Sequence, residues 1–276
     1  VHLVVCDVGQ GDGILIWQGF SQVVVDGGPN EKMVECVSKY IPFWDRRIEM
    51  VVMTNGDTDH MTGLISLIKR YKIDQMIANN LVRDTGSFGA LREEVIKEKV
   101  EIYAPKTGEV IVVGPSTSSG SSRSSLRFDI LWPEERLGDK LVWTSQADDR
   151  VLGANTYSQR EGNEQSVVVR LVYSDFSALL TGDIGSETEQ LLVNSGKNLH
   201  SNVLKVGHHG SKYSSTEAFL RMVKPQLAVI SVGKKNRYGH PTPEALERLR
   251  AVGARILRTD EQGDVEIVSD GQKMWV

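Results

Sequence analysis

One local pattern constrains this chain more than any other: short apolar, largely β-branched runs that end in carboxylates, histidines and glycines. Val23-Val24-Val25 runs into Asp26-Gly27-Gly28, and residues 49–53 run into Thr54-Asn55-Gly56-Asp57-Thr58-Asp59-His60. Leu179-Leu180 runs into Thr181-Gly182-Asp183, and 203–206 into Gly207-His208-His209-Gly210. Runs of this kind, bounded by turn residues, read as buried strands. Segments of helical periodicity are expected at 31–41, 61–71, 90–99, 216–223 and 243–251, with hairpins around Ser174-Asp175 and Asp270-Gly271. Strands mixed with helices and antiparallel hairpins imply a layered α/β fold with mixed sheets.

At 276 residues the chain has room for one large domain or two small ones, and no internal repeat divides it. It is read as a single domain over 1–276, with a flexible Ser-rich loop at 114–125 and a long polar loop at 133–162. A net charge of -4 excludes a generally basic surface of the histone type and leaves room for a local basic groove. No apolar run approaches the ~18 residues that a membrane span needs. Two cysteines, Cys6 and Cys36, are too few for a disulfide framework or a cysteine-rich zinc site, and their apolar surroundings read as those of buried free thiols. The start at Val1, without Met or a leader-like segment, reads as a trimmed chain.

The polar clusters offer more ligand chemistry than structure demands. A helix entry near Met61 needs one capping carboxylate, whereas the preceding loop supplies Asp57, Asp59 and His60, with Asn55 as a weaker donor. Taken alone, Asp183 is an ordinary strand-end turn residue, and His240 in Tyr238-Gly239-His240-Pro241 is an ordinary loop histidine. Paired histidines between glycines, directly after a buried strand, are harder to assign to structure alone. Asp7-Val8-Gly9-Gln10-Gly11-Asp12 suits a tight turn that brings backbone up to a site. No helix is expected after it, which argues against a dinucleotide-binding glycine loop. Together, two Asp, a His, a strand-end Asp and a further His make the donor set of a two-metal hydrolytic site, in which cations about 3.5–4 Å apart share a carboxylate.

In this order and with these neighbours the residues resemble the metallo-β-lactamase superfamily, and within it the metallo-β-lactamase-like domain of the ComEC family of DNA-internalisation competence proteins. The motifs that carry the resemblance are DVGQGD at 7–12, VDGG at 25–28, NEQSVVVRL at 163–171, TGD at 181–183, GHHGS at 207–211, YGHPTPE at 238–244 and TDEQGDVEI at 259–267. They span nearly the whole chain. The resemblance implies a four-layer αββα sandwich with two mixed sheets. It implies metal ligands at Asn55, Asp57, Asp59, His60, Asp183 and His208, with Asp183 bridging two divalent cations and Asp59, His60 and His208 on the second. Asp59, Asp183 and His240 would carry the catalysis. His209, Ser211, Lys212, Asn163 and His240 would meet the substrate, while Asp26, Asp7 and Asp12 would support the ligands from behind.

The chain departs from the superfamily pattern at Asn55, where histidine is usual, and near Asn163, where the third ligand of the first metal is expected. An oxygen-rich first position favours Mn²⁺ over Zn²⁺, and a neutral amide is a weaker donor than imidazole. A labile first site beside a tighter second one follows, and Asn55→His is expected to raise first-site affinity, most for Zn²⁺.

The activity implied by the resemblance is a metal-dependent phosphodiesterase that degrades DNA, single-stranded DNA above all. Lys205, Lys212, Lys234, Lys235 and Arg237 are available to follow a phosphate backbone. Two other readings stay open: hydrolysis of another ester, such as a phosphocholine ester or a lactone, and a degenerate, non-catalytic DNA-binding module. The same resemblance implies membrane channel segments outside this chain, a place at the outer face of a bacterial inner membrane, and a monomer for the domain by itself.

Overall fold

Alternation along strand β1 (His2–Val5) shows how the layers arise. Val4 packs on one side of the strand and Leu3 and Val5 on the other, and all three are fully buried. A strand buried on both faces lies inside a stack of layers. The computed structural model describes residues 1–114, 125–138, 140–146 and 158–276. It places β1 in an eight-stranded sheet with β2 (Gly13–Gln18), β3 (Ser21–Gly27), β4 (Arg47–Met53), β5 (Lys72–Ala78), β6 (Glu101–Tyr103), β14 (Val265–Ser269) and β15 (Met274–Trp275). Strands β3 to β6 run parallel and the others pair antiparallel, so the sheet is mixed.

A seven-stranded sheet lies against it. It comprises β7 (Val110–Val113), β8 (Leu126–Trp132), β9 (Val168–Tyr173), β10 (Phe176–Leu180), β11 (Val203–Lys205), β12 (Leu227–Ile230) and β13 (Arg255–Arg258). Strands β10 to β13 are parallel, and β7 to β10 are antiparallel. Leu3, Ile16 and Val23 of the first sheet share one core with Phe128, Val169 and Leu227 of the second. On the outer face of the first sheet, Val4, Val24 and Val51 share a core with α1 (Lys32–Tyr40), α2 (Thr58–Arg70) and α3 (Gly86–Lys97). On the outer face of the second, Leu179, Leu204 and Ala228 do the same with α5 (Ser186–Asn194), α6 (Glu217–Val223) and α7 (Pro243–Ala251). The result is the four-layer αββα sandwich. Two short helices, α4 (Gln159–Glu164) and α8 (Thr259–Gln262), lie in connections.

Three expectations change. Cys6, just after β1, and Cys36, in α1, are joined in a disulfide across 30 residues of sequence rather than left as free thiols. Their apolar surroundings were compatible with either state, and the packing of α1 on the sheet brings their Cα atoms to 6.2 Å, within disulfide range. The stretch 133–162 is not loop throughout: Lys140–Trp143 forms a 3-10 turn, and α4 opens at Gln159 with Ser158 and Glu161 in a capping box. Residues 147–157 of it, and 115–124 of the Ser-rich loop, lie outside the described residues. Strand β7 and helix α5 were not expected. Their apolar signals are short, and Gly185-Ser186 after Asp183 reads as more turn.

Parallel neighbours put their C-terminal ends on one edge of each sheet, where α/β folds collect their functional loops. Asp26 lies at the end of β3, residues 54–57 and the first turn of α2 follow β4, and Asp183 and Gly207–Gly210 follow β10 and β11. One close approach sets their spacing. A Cβ on Gly63 of α2 would lie 1.9 Å from the Gly27 carbonyl oxygen, so only glycine lets the helix rest on the end of β3. That contact brings His60, one turn earlier, beside Asp26.

Candidate metal centre

Four side chains converge where these loops meet. Asp59, His60, Asp183 and His209 each present a ligand atom, and the four atoms lie within 4.8 Å of one another. His60 Nε2 is 3.1 Å from Asp183 Oδ2, and His209 Nε2 is 3.5 Å from both Asp59 Oδ2 and Asp183 Oδ2. His60, Asp183 and His209 are buried, and Asp59 stays partly open. Among the described residues, His60 Nε2, His209 Nε2 and Asp183 Oδ1 are buried without a hydrogen-bond partner. Orphaned polar atoms of this kind are rare in folded proteins. Two of them, the histidine Nε2 atoms, approach the same Asp183 Oδ2, an arrangement that fits a divalent cation.

The histidines are held from behind. His60 Nδ1 lies 2.9 Å from Asp26 Oδ2, and Asp26 also accepts the Thr54 backbone N–H at 2.8 Å and its hydroxyl at 2.6 Å. His209 Nδ1 donates to the Ser231 carbonyl at 2.9 Å. A proton fixed on Nδ1 leaves Nε2 as the donor toward the centre, which is how ligating histidines are usually oriented. His208 and His209 both have left-handed backbone, with φ of 48° and 52°, within the Gly207–Gly210 turn. Strain of this sort costs about 1–3 kcal/mol per residue and collects at functional sites.

The electrostatics favour added positive charge. Burial pushes the Asp183 carboxyl up, but His209 and His60 outweigh it and hold that carboxyl well below the usual carboxylate range. Burial pushes both imidazoles down, and the surrounding carboxylates outweigh that, holding both well above the ordinary histidine range. Protons and a metal ion therefore compete for the same seats.

Asp12 and Lys205 form a second buried group behind the first. The Lys205 ammonium pairs with Asp12 Oδ2, donates to the Gly182 carbonyl at 3.1 Å and lies 3.8 Å from Asp183 Oδ1. Asp12, Asp26 and His60 could also group around an ion, but Lys205 already supplies the cation that Asp12 needs. Lys205 is 1% exposed, so it does not follow a phosphate backbone at the surface. A Cβ on Gly11 would stand 2.0 Å from the Asp59 carbonyl oxygen, so the 7–12 turn rests directly on the metal loop.

The remaining expected residues fall in three places. Asn55 is buried and engaged: its carbonyl accepts the Asp57 N–H at 2.9 Å and its amide donates to Ser166 at 3.2 Å. Asp57 Oδ1 lies 2.5 Å from Arg83 Nη2. His208 lies outside the cluster of four and lines a 660 Å³ cleft together with Asn163, Glu164, Asp183, Tyr213 and Tyr238. His240 stacks on Tyr238, meets the His208 ring edge-on at 5.6 Å, and has a buried Nδ1 without a partner among the described residues. Burial, then the nearby His208 and His209, push its imidazole down to about 4, so it is neutral at ordinary pH. Ser211 is buried and accepts the Tyr213 N–H, and Lys212 is exposed with its ammonium over the Tyr213 ring. Asp7 faces another cleft with Lys32, Lys39 and Asp264 and does not join the centre.

Arg83 was not singled out from sequence. Its signal was its place soon after an apolar strand, β5, as with every other residue of the site. With Asp57, Asp59, Lys235, Arg237 and Tyr238 it lines a second cleft of 470 Å³ that reaches the centre at Asp59. Tyr238 borders both clefts, Asp59 opens to one and Asp183 to the other.

Comparisons with known proteins bear on the family and the fold. The family model described as "Metallo-beta-lactamase superfamily" matches residues 6–234. "ComE operon protein 3" of Bacillus subtilis is 29% identical over 221 residues, which is 80% of this chain and 24% of that protein. "Competence protein ComA" of Neisseria gonorrhoeae is 44% identical over 107 residues, 38% of this chain and 16% of that protein. The chain thus spans about a quarter or less of the length of these relatives. Among solved structures, the metallo-beta-lactamase fold protein YhfI from Bacillus subtilis matches with a TM-score of 0.54 at 8% identity, covering 100% of both chains, which speaks to the fold alone.

Proposed function

The chain belongs to the metallo-β-lactamase superfamily, and on that premise we propose that it is a metal-dependent phosphodiesterase that cleaves DNA, with single strands as its substrate. The observation that carries the reading is the paired clefts, which meet at the candidate centre and share Tyr238. Two adjoining clefts that share a tyrosine and each reach one carboxylate of the centre suit an extended polymer more than a small ester held in a single closed pocket. Tyr238 and Tyr213 are 66% and 65% exposed, so each keeps ring surface open on which a base can stack. Lys235 and Arg237 border the first cleft and suit the phosphates.

Asp59, His60, Asp183 and His209 would hold the ion, two carboxylates and two imidazoles that together suit a divalent transition-metal cation. When bound, a divalent ion supplies Lewis-acid polarisation of the phosphoryl group and a nucleophile at neutral pH. The protein's own residues do the rest. Asp26 and the Ser231 carbonyl fix the imidazoles, so no ligand has to reorient during reaction. His240, kept neutral, offers a hydrogen bond beside the scissile group without adding charge. Tyr238 stacks on a base and sets the register of the strand.

The similarity to competence proteins supports a role in handling incoming DNA. It also supports channel segments outside this chain as partners; the domain itself is taken as a monomer. The Cys6–Cys36 disulfide supports an oxidising compartment, and so the outer face of the membrane.

The test is cleavage of end-labelled linear single-stranded DNA with Mn²⁺, with and without EDTA, beside Asp183→Ala. Activity is expected to disappear in EDTA and to fall at least about a thousandfold in the variant, as for loss of a group central to charge stabilisation. A folded wild type that hydrolyses a phosphocholine ester or a lactone but not DNA would overturn the substrate assignment. DNA binding without cleavage would overturn the enzymatic one.

A further inference from the structure

The superfamily pattern calls for two cations, yet the donor atoms of this chain are divided unequally between the two positions. Within the cluster of four, Asp183, His60 and His209 each keep a buried polar atom without a hydrogen-bond partner among the described residues. On the other side, where Asn55, Asp57 and Asn163 would have to serve, both ends of the Asn55 amide are engaged by the Asp57 N–H and by Ser166. Asp57 Oδ1 lies 2.5 Å from Arg83 Nη2, and both side chains are about nine-tenths buried, at 10% and 9% exposed.

We propose that the Arg83 guanidinium, paired with Asp57, takes the place of the first cation, so that the centre holds one divalent ion and Arg83 presents the second positive charge to the substrate phosphate. The inference rests on the phosphodiester reading for its substrate half, while its ion count stands alone.

The seat for the guanidinium is built. A Cβ on Gly162 would lie 2.3 Å from Arg83 Nη2 and 2.7 Å from its Cζ, so the glycine leaves room for the planar group, and a larger residue there would make the guanidinium shift. A Cβ on Gly56 would lie 3.0 Å from Arg83 Cγ, so a second glycine makes room for the stem. A divalent ion at Asp57 would have to displace this buried guanidinium and would meet its charge at close range. The same group borders the 470 Å³ cleft beside Asp59, on the route proposed for the strand. A planar, permanently charged fork suits two phosphoryl oxygens as well as it suits a carboxylate. The usual dinuclear centre would then become a mixed one, with one metal ion and one organic cation.

The test counts ions. Metal-free protein is equilibrated with Mn²⁺, and separately with Zn²⁺, and metal per chain is measured by mass spectrometry and titration calorimetry. One ion per chain is expected for the wild type and for Arg83→Lys, which keeps a charge. Asn55→His alone is expected to stay at one, because Asp57 remains tied to Arg83. Asn55→His combined with Arg83→Leu is expected to reach two. Two tight ions in the wild type, or two in Asn55→His alone, would overturn the proposal. In EDTA, Arg83→Leu is expected to bind a twelve-residue oligothymidylate about tenfold more weakly or worse, the size of a charge-assisted contact. Unchanged binding would overturn the phosphate role. Circular dichroism checks that each variant is folded, and Arg83→Lys carries the one-ion prediction if the leucine variant is not. One bound ion with no DNA cleavage would overturn the nuclease reading and leave the ion count standing. Two ions with intact DNA cleavage would do the reverse.

Discussion

His208 and His209 are neighbours in the chain and face different things. His209 aims Nε2 at the carboxylates of Asp59 and Asp183, while His208 borders the 660 Å³ cleft beyond them. His209→Ala is expected to weaken Mn²⁺ binding at least about a hundredfold, beyond the 10–100-fold typical of residues behind the ligands. His208→Ala is expected to leave it within a few fold. Calorimetric titration of both variants checks this, and the opposite ranking would remove His209 from the centre. The sequence made a paired-histidine site legible, but the resemblance put His208 on the metal and His209 on the substrate, whereas it is His209 that joins the cluster. That choice is made by two consecutive left-handed residues, and no side-chain pattern announces such a turn. Arg83 and Lys205 were hidden for a similar reason. A cation in a sequence reads as solvated surface until packing buries it against Asp57 or Asp12.

Between elements, Glu189 is the clearest case of a charge that the fold has to accommodate. It sits in α5 and accepts the backbone N–H groups of Ser215 and Thr216, at 2.5 and 2.7 Å, just ahead of α6. Burial raises its carboxyl from 4.5 to about 7. A folded-state value above the unfolded one means that its contribution to stability is full below pH 4.5 and is lost as pH rises through about 7. Urea unfolding of the wild type is therefore expected to lose up to roughly 3 kcal/mol relative to Glu189→Gln between pH 5 and pH 8. Parallel slopes for the two proteins would show that Glu189 is ionised throughout. At this scale the longer strands and helices were legible from their periodicity. Helix α5 was not, because its buried face includes this carboxylate and Thr188 in place of apolar residues. The disulfide was not legible either, since 30 residues separate two cysteines that only the docking of α1 brings together.

Over the whole molecule, the centre joins the two sheets. Asp59 and His60 follow a strand of the eight-stranded sheet, and Asp183 and His209 follow strands of the seven-stranded one. An ion bound to all four stabilises only the state in which the sheets are docked. With free Mn²⁺ at a hundred times its dissociation constant, the gain is about 2.7 kcal/mol. Thermal unfolding is expected to fall by several degrees on chelation in the wild type and not at all in Asp183→Ala; a melting temperature indifferent to EDTA in the wild type would count against a shared ion. The layered fold could be read from the sequence because each run of strands showed its two-faced burial. The position of the site at one edge could be read because the same polar clusters closed those runs.

That division of donors also sets an order of events in the making of the protein. Asp59 and His60 are synthesised early and His209 late, and the early half offers an ion only two of its four holders. On the proposed set of four, a nascent chain would complete its ligands only once the second sheet has folded against the first. Loading becomes a last step of maturation, and whatever compartment the finished domain occupies is the one that decides which ion it carries.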